Sequence, residues 1–296
     1  MIDNYKKDYE SARLLFENYL QKYLDELTDI PEPVLSGIRY AMSAGGKRLR
    51  PVLALLTADM FGVDGSRVLP IALSIELIHN YSLVHDDLPC MDDDELRRGQ
   101  PTVHVKFGEG MAVLIGDALL NMSMEVLASS SFNFGQSFGS VLRILYENSG
   151  AKGMIGGQCV DLASENSKEY VGEECVRYLH LHKTACLLKA PITSVAVVAG
   201  ASVEDLTLLE NYADNLGLAF QITDDVLDIE GDESVFGKPI GSDEEKGKLT
   251  YPAVFGLQES KVLAQKHVAL AIESISRFNN NSNHVLLAKS LLNRMK

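Results

Sequence analysis

Apolar residues recur at intervals of three and four along most of the chain, which is the spacing of amphipathic α-helices. Glycine, proline and aspartate residues mark the breaks between these segments, and Gly156-Gly157 is one of these breaks. The run from Val195 to Val198 is short and lies in a helical context, so no strand is predicted. The predicted helices are residues 5–27, 49–62, 68–87, 110–130, 136–149, 169–200, 204–229, 250–258, 261–278 and 283–295. No linker divides them, so we predict an all-α fold with a single domain over residues 1–296.

Composition and charge narrow the class of partner. The 296-residue chain has 46% hydrophobic and 23% charged residues, which is typical of a globular protein, and its net charge is −14. This acidity argues against a nucleic-acid partner and against binding to an anionic membrane surface. The uncharged apolar stretch at residues 190–203 is shorter than the roughly 20 residues that span a bilayer, so no stable membrane insertion is predicted. The four cysteines form no CxxC pair and the first twenty residues contain no apolar signal core, so we expect a cytoplasmic protein.

One acidic motif is embedded in a strongly apolar helix. Asp224 and Asp228 are about 40° apart around a helix, so their carboxylates share one face, and Asp225 lies beside them. A solvated helix end would explain the three acids, but apolar residues flank them on both sides from Leu216 to Leu227. Carboxylates in an apolar helix are costly unless they are paired or bind a metal. Their hard oxygen ligands favour Mg²⁺.

A second acidic motif, DDLPCMDDDE, follows another apolar helix and begins at Asp86. Asp86 and Asp92 would be about 120° out of phase on a regular helix. Pro89 cannot continue that helix, because it lacks an N–H group and clashes with the preceding turn. We therefore predict a bulge or a helix end that returns Asp92 toward Asp86. Residues 93–95 are also compatible with an exposed acidic loop.

Glu76 and His79 form an ExxH pair, the spacing used by carboxylate-bridged di-iron proteins. Such a centre needs two ExxH motifs and further glutamates. The chain has one such motif, and its clustered acids are mostly aspartates. A di-iron centre is therefore the weaker alternative to Mg²⁺.

Basic residues lie beside glycines and close to the acidic motifs. Arginine and lysine bind phosphate oxygens, and the free N–H groups at a helix start favour anions. No Walker A or GxGxxG motif is present, so a nucleotide is not indicated. Together with the Mg²⁺-type motifs, the basic residues predict a diphosphate ligand. The basic motifs are GGKRLR at 45–50, RRG at 97–99, HKT at 182–184, GKP at 237–239 and GKLTYP at 247–252.

These motifs and their spacing resemble the trans-isoprenyl diphosphate synthases, in particular the bacterial farnesyl diphosphate synthases. The resemblance covers nearly the whole chain. It implies an isoprenoid synthase-type helical bundle around a deep central cavity, three Mg²⁺ ions and a homodimer. The stretches that carry it are GGKRLRP, IHNYSLVHDDLPCMDDDELRRGQPTVH, GDALL, GGQCVDL, LHKTACLL, GLAFQITDDVLD and FGKPIGSDEEKGKLTYP.

The resemblance also implies a role for each residue that matches a motif of the family. Mg²⁺ would be bound by Asp86, Asp87, Asp92, Asp224, Asp225 and Asp228. The diphosphate of isopentenyl diphosphate would be bound by Lys47, Arg50, His79 and Arg98. The diphosphate of the allylic substrate would be bound by Arg97, Lys183, Thr184, Gln221, Lys238 and Lys248. Lys183 and Thr184, through their carbonyls, and Gln221 would also be catalytic by facing the allylic cation.

The implied reaction is the head-to-tail condensation of isopentenyl diphosphate with dimethylallyl and then geranyl diphosphate. The departing diphosphate would take the proton, so no side-chain general base is needed. Tyr81 lies five residues before Asp86, about 7.5 Å along a helix, and resembles the pattern that stops growth at fifteen carbons. A core tyrosine is the other interpretation of Tyr81, and geranylgeranyl diphosphate is the alternative product.

Two rival classes share parts of this pattern. A non-catalytic partner subunit of a heteromeric prenyltransferase tends to lose an acidic motif, whereas both are intact here. A class I terpene cyclase would lack the second DDxxD motif and the GGKRLR segment. Both rivals are therefore less compatible with this chain than a prenyl diphosphate synthase.

Overall fold

The computed structural model describes residues 2–166, 170–231 and 247–294. Within these ranges the chain is almost entirely helical, so the all-α prediction is confirmed. The first half contains α1 (Ile2–Asp25), α2 (Glu32–Ser43), α3 (Leu49–Met60), α4 (Gly65–Asp86), α5 (Val103–Phe107), α6 (Glu109–Ser129), α7 (Ser131–Phe134) and α8 (Phe138–Ser149). The second half contains α9 (Met154–Asn166), α10 (Glu173–Leu179), α11 (Cys186–Val198), α12 (Val203–Glu230), α13 (Tyr251–Phe255), α14 (Leu257–Ser274) and α15 (Ser282–Asn293). A 3₁₀ turn, Gly135–Ser137, precedes α8, and a π-helical turn, His180–Ala185, joins α10 to α11.

Two long helices, α4 and α12, carry the two acidic motifs and lie in two neighbouring apolar cores. α4 packs against α3 and α6, whereas α12 packs against α11 and α14. The larger core includes the α4 side chains from Val68 to Val84, and the second includes Tyr212 and Leu216 of α12. α11 contacts both helices. Because packed helices keep fixed separations, α11 sets the distance between the two acidic motifs.

Both of these helices begin at capping residues that the sequence specifies. The Asp64 carboxylate accepts a hydrogen bond from the Ser66 N–H at 2.9 Å, which satisfies a free donor at the start of α4. Ser202 and Asp205 form a reciprocal capping box at the start of α12. These caps fix where each helix starts and therefore which residues reach the site.

A short hairpin follows the first acidic motif and was not predicted. Strand β1 (Leu96–Arg97) pairs antiparallel with β2 (Gln100–Pro101). Arg98 and Gly99 connect them with φ values of 53° and 76°, and positive φ at both central residues is the signature of a type I′ turn. Strands of two residues are too short to show an alternating pattern, so the sequence analysis missed them.

Four helices were also missed, namely α2, α5, α7 and α9. The sequence analysis interpreted Gly156-Gly157 as a break between helices, and this is wrong because both residues lie inside α9. A Cβ at Gly157 would lie 2.2 Å from the backbone nitrogen of Lys183. The glycine therefore serves a close approach between α9 and the π-helical turn rather than a chain reversal.

The single helix predicted over 169–200 is divided in the structure into α10, the π-helical turn and α11. A Cβ at Gly217 of α12 would lie 2.3 Å from the Cβ of Ala185, so α12 approaches this turn from the other side. Glycines on α9 and α12 thus accommodate the wider π-helical turn between them.

Two helical segments are long and apolar enough to cross a bilayer by length and hydropathy alone, Glu109–Ser129 and Glu173–Val198. Both contain charged residues, so they do not stand out as uncharged stretches in the sequence. The most apolar window of Glu173–Val198 is 67% buried, which is typical of a core helix. That of Glu109–Ser129, which is α6, is 44% buried, so this helix leaves an apolar face uncovered.

Candidate active site

Two cavities meet inside the bundle, and their linings differ sharply. The first has a volume of about 510 Å³ and a strongly charged lining. The second has a volume of about 560 Å³ and a mostly apolar lining. Leu83, Asp86, Lys183 and Thr184 line both, so the charged cavity opens directly into the apolar one. Of the predicted site residues, the charged cavity gathers Lys47, Asp86, Asp92, Arg97, Arg98, Lys183, Thr184, Gln221, Asp224, Asp225, Asp228 and Lys248.

The first acidic motif turns back on itself as predicted. α4 ends at Asp86, and the chain then reverses so that the Asp92 N–H donates to the Asp86 carbonyl at 2.8 Å. Asp93 adopts a left-handed φ of 52° in this reversal. Asp86 and Asp92 therefore both line the charged cavity, although they would diverge on a continuous helix.

Asp87 occupies a different position from its two neighbours in the motif. Its carboxylate is 3% exposed and accepts hydrogen bonds from Nε and Nη2 of Arg97 at 2.5–2.9 Å. This two-pronged contact fixes the Arg97 guanidinium, which lines the charged cavity. The contacts of Asp87 therefore orient Arg97, and its role as an Mg²⁺ ligand stays a prediction.

The second acidic motif lies on the opposite wall, in an uninterrupted part of α12. Asp225 accepts hydrogen bonds from the Gln221 amide at 3.0 Å and from the Tyr251 N–H at 2.9 Å. Asp224 forms an ion pair with Arg294 at 2.8 Å. Asp225 and Asp228 are each 3% exposed, which excludes a solvated helix end.

Burial changes the acidity of these carboxyl groups. It raises the pKa of Asp86 to about 6 and that of Asp224 to about 6. It raises the pKa of Asp225 to about 7, although the hydrogen bonds from Tyr251 and Gln221 oppose this. Desolvated carboxylates of this kind are stabilised when a cation joins them.

The π-helical turn brings together the three residues predicted to be catalytic. The Thr184 hydroxyl donates to the Gln221 amide oxygen at 2.9 Å, and the other end of that amide donates to Asp225. Lys183 forms a half-buried ion pair with Asp161 in the lining of the same cavity. Polar contacts therefore connect the π-helical turn to α12 on one side and to α9 on the other.

The residues predicted to hold isopentenyl diphosphate divide between the two cavities. Lys47 and Arg98 line the charged cavity, whereas Arg50 and His79 line the apolar one. Burial lowers the pKa of Arg50 to about 10 and, with the help of nearby arginines, lowers the pKa of His79 well below its usual value. In the described part of the chain, the buried Nε of Arg50 has no acceptor. An anionic ligand would supply one.

Tyr81 lies in the wall of the apolar cavity, as the tunnel interpretation requires. Its ring meets the imidazole of His85 edge-on at 5.8 Å, and its side chain is 5% exposed. The hydroxyl is buried and has no hydrogen-bond partner among the residues that the structure describes. Side chains from three further elements complete the lining, namely Met91, Leu120, Met154, Ile155, Cys159 and Leu162.

Two lysines predicted to hold the allylic diphosphate come from the segment after α12. Lys248 lies in the charged cavity with its Nζ atom 3.4 Å from Asp92, so it reaches across to the first acidic motif. Lys238 falls outside the described residues. Sequence reasoning missed Asp161, which the motif GGQCVDL contains, and Arg294, which lies near the end of the chain without a recognisable motif.

The cavity's carboxylates suit Mg²⁺ that binds together with a substrate better than a metal centre built from protein side chains alone. Across residues 2–166, 170–231 and 247–294, no three acidic, histidine or cysteine side chains converge as a complete metal site. Aspartates on two walls of one cavity suit Mg²⁺, which commonly takes one or two carboxylates together with substrate phosphates and water. The di-iron alternative fails, because Glu76 is buried against Arg48 at 2.8 Å.

Comparison with known proteins places this arrangement in a family. Residues 32–286 match the polyprenyl synthetase family. The chain is 41% identical to a geranylgeranyl pyrophosphate synthase of Arabidopsis thaliana over 95% of its length and 82% of that protein. It is 40% identical to the farnesyl diphosphate synthase of Bacillus subtilis over 85% of each.

A solved structure agrees with these matches. The geranyltransferase of Helicobacter pylori, complexed with magnesium and isoprenyl diphosphate, superposes with a TM-score of 0.81 at 33% identity, covering 96% of this chain and 95% of that one. The predicted isoprenoid synthase-type bundle is therefore confirmed. The chain belongs to the polyprenyl synthetase family of prenyltransferases, whose members depend on Mg²⁺.

Proposed function

We propose that this protein condenses isopentenyl diphosphate head-to-tail, in a 1′-4 linkage, with dimethylallyl diphosphate and then with geranyl diphosphate. The products are farnesyl diphosphate and inorganic diphosphate. The observation that carries the proposal is the junction of the charged and the apolar cavity at Asp86, Lys183 and Thr184. A molecule that fits both has an anionic head and a hydrocarbon tail.

The charged cavity binds the two diphosphate groups. Arg97, Lys183 and Lys248 hold the allylic diphosphate. Lys47 and Arg98 hold the diphosphate of isopentenyl diphosphate, together with the Nε of Arg50 from the adjoining apolar cavity. The aspartates that line the cavity, Asp86 and Asp92 on one wall and Asp224, Asp225 and Asp228 on the other, would hold Mg²⁺, which we propose as three ions. When bound, Mg²⁺ supplies positive charge that offsets the diphosphate charge.

The same residues account for the chemical step. As the allylic C–O bond breaks, the Arg97 and Lys248 cations stabilise the negative charge that develops on the leaving diphosphate. The Lys183 and Thr184 carbonyls and the Gln221 amide oxygen offer negative dipole ends to the allylic cation. The isopentenyl double bond attacks this cation, and the released diphosphate accepts the proton. The apolar cavity excludes water, which would otherwise capture the cation.

We propose that Tyr81 limits the product to fifteen carbons, because its ring lies in the wall that a growing chain would reach. The second candidate is a geranylgeranyl diphosphate synthase, since relatives at similar identity carry both names. Incubation with Mg²⁺, isopentenyl diphosphate and dimethylallyl diphosphate, followed by analysis of the prenyl chain, separates the two. A fifteen-carbon product supports the first proposal and a twenty-carbon product the second.

We propose a homodimer in the cytoplasm, assembled through α6. Val113, Leu114 and Met124 of this helix are 40–54% exposed, and exposed apolar side chains on a core helix favour an interface. Light scattering on the purified protein measures the assembly directly. A monomer without activity for any allylic primer would instead favour a partner subunit of a heteromeric enzyme.

A further inference from the structure

Arg48 lies between two residues of the proposed isopentenyl diphosphate site, yet its own guanidinium is 2% exposed and bonded within the protein. Its Nη1 donates to Glu76 on α4 at 2.8 Å, and its Nε donates to Glu17 on α1 at 2.9 Å. Its Nη2 donates to the Met42 carbonyl at the end of α2 at 2.7 Å. Each guanidinium nitrogen therefore already has an acceptor, so Arg48 joins three helices instead of binding a ligand.

The backbone at Arg48 explains why these contacts matter. Arg48 has a left-handed φ of 49° and is the N-cap of α3, where its carbonyl accepts from the Val52 N–H at 3.0 Å. Residues other than glycine adopt this conformation at a cost that the surrounding structure must offset. Because Lys47 directly precedes this residue and Arg50 follows within the first turn of α3, the direction of both side chains depends on it.

A second tether reaches the same loop from α1. The Tyr9 hydroxyl donates to the Lys47 carbonyl at 2.6 Å. Tyr9 and Glu17 thus both connect α1 to the loop, although α1 lies before the residues that match the family, 32–286. The N-terminal helix therefore contributes to the site without lining it.

Glu76 also supplies charge to the neighbouring cations. The Glu76 carboxylate is 2% exposed, and its negative charge favours the protonated forms of Arg50 and Arg98, raising their pKa values against the effect of burial. The Arg98 guanidinium in turn donates to the Gly45 carbonyl and fills the space that a Cβ at Gly46 would occupy, 2.6 Å away. Cations that repel one another are thus held together before any diphosphate arrives.

We propose that Arg48, anchored by Glu76 and Glu17, is a positioning residue that keeps Lys47 and Arg50 directed toward isopentenyl diphosphate. The Tyr9 hydroxyl bond to Lys47 supports the same arrangement from α1. This inference rests on the proposed function, and it predicts an effect on one substrate only. The allylic diphosphate site is built around Arg97, which is held by Asp87 and not by Arg48 or Tyr9.

The test compares the KM values of the two substrates in Arg48→Met and Tyr9→Phe. Arg48→Met keeps an unbranched side chain but removes every donor, so we expect the KM for isopentenyl diphosphate to rise about tenfold or more. Tyr9→Phe removes one hydrogen bond, and we expect a rise of about threefold. In both variants the KM for dimethylallyl diphosphate is expected to stay within about twofold of the wild-type value.

Two further variants guard against a general loss of structure. Tyr5→Phe is the matched control, because Tyr5 meets Tyr9 edge-on at 6.0 Å on the same helix, and its KM values are expected to equal those of the wild type. If Arg48→Met does not fold, the double variant Arg48→Met with Glu76→Gln avoids leaving the buried Glu76 charge without a partner. The KM values of Tyr9→Phe also test the proposal independently of Arg48.

The outcomes separate this inference from the proposed function. A selective rise for isopentenyl diphosphate supports the positioning role. Equal rises for both substrates, or unchanged values in folded Arg48→Met, overturn it while leaving the proposed function intact. A wild-type protein that forms no prenyl product from any allylic primer overturns both.

Discussion

The charged and the apolar cavity are neighbours of similar size, but the chain builds them in different ways. Several charged groups in the lining of the charged cavity bind one another, such as Lys183 with Asp161 and Lys248 with Asp92. The apolar cavity is lined by side chains that make few polar contacts, and the Tyr81 hydroxyl is buried without a partner among the described residues.

Because of this difference, we expect the charged cavity to control the reaction rate and the apolar cavity to control the length of the product. Charges in the first cavity act on a transition state in which charge develops, so changes there affect the rate steeply. Side chains in the second cavity act through shape, so changes there alter how long a chain fits. If the two cavities are as independent as this division implies, the effect on the rate should decrease from changes at the acidic walls to changes at Tyr81.

The largest effect is expected for Asp224→Ala and Asp86→Ala. Each removes a carboxylate from one wall of the charged cavity, and we expect kcat to fall on the order of 10³-fold or more, because charge neutralisation of the diphosphates is lost. Steady-state kinetics with Mg²⁺ measures this, and circular dichroism checks the fold. Glu210→Ala, an exposed acid on the same helix α12, is the control and is expected to behave as the wild type. Near-normal activity of either aspartate variant would show that the proposed Mg²⁺ ligands are wrong.

The next prediction concerns pH. Burial raises the pKa of Asp86 and Asp224 to about 6 and that of Asp225 to about 7, so these carboxyls become protonated as the pH falls from 8 to 6. A protonated carboxyl does not bind Mg²⁺, so the half-saturating Mg²⁺ concentration should rise, approaching about tenfold per pH unit below the pKa for each proton displaced.

Unfolding would not explain such a result. A carboxyl whose folded pKa exceeds its unfolded pKa binds more protons in the folded state, so these three groups stabilise the ligand-free fold as the pH decreases. Activity measured against Mg²⁺ concentration at pH 6, 7 and 8 tests the prediction. An Mg²⁺ requirement that is the same at all three values would contradict it.

Asp87→Asn is expected to have an intermediate effect. The variant weakens the two-pronged contact that fixes Arg97 but leaves both acidic walls of the charged cavity in place. We expect kcat/KM for dimethylallyl diphosphate to fall about 10–100-fold, which corresponds to one charge-assisted hydrogen bond. Asp86→Asn is the comparison, and it should be the more damaging of the two. Equal losses would indicate that Asp87 is a metal ligand as well as a partner of Arg97.

The sequence predicted those parts of the site that depend on local rules. Pro89 indicated the end of α4 and the return of Asp92 toward Asp86, and helical spacing placed Asp224 and Asp228 on one face of α12. Residues brought in by tertiary packing were harder to find. Asp161 belongs to the site because α9 packs against the π-helical turn, where this residue pairs with Lys183. Gly157 was interpreted as a break because only the packed structure shows that it lies against the backbone of Lys183.

The same limit explains the missed hairpin and the assignment of Asp87. The turn at Arg98-Gly99 is of type I′ because both residues have positive φ values. Strands of only two residues have no sequence pattern that would predict such a turn. Asp86 and Asp87 are adjacent and chemically identical, so the sequence gives no reason to assign them different roles. Only the position of Arg97 distinguishes them, because it captures one carboxylate and leaves the other facing the cavity.

The smallest change in rate and the largest change in product are expected for Tyr81→Ala. Removing the ring enlarges the apolar cavity beside His85 without altering a charge, so the first condensation should proceed within a few-fold of the wild-type rate, whereas the final product should lengthen beyond that of the wild type. Chromatography of the dephosphorylated products measures the chain length. Tyr81→Phe keeps the ring and loses only a hydroxyl that has no partner among the described residues, so its product should be unchanged. A longer product from Tyr81→Phe would mean that the hydroxyl, and not the volume of the ring, ends elongation. An unchanged product from Tyr81→Ala would remove this residue from the wall that limits growth and would leave the two cavities less independent than their linings suggest.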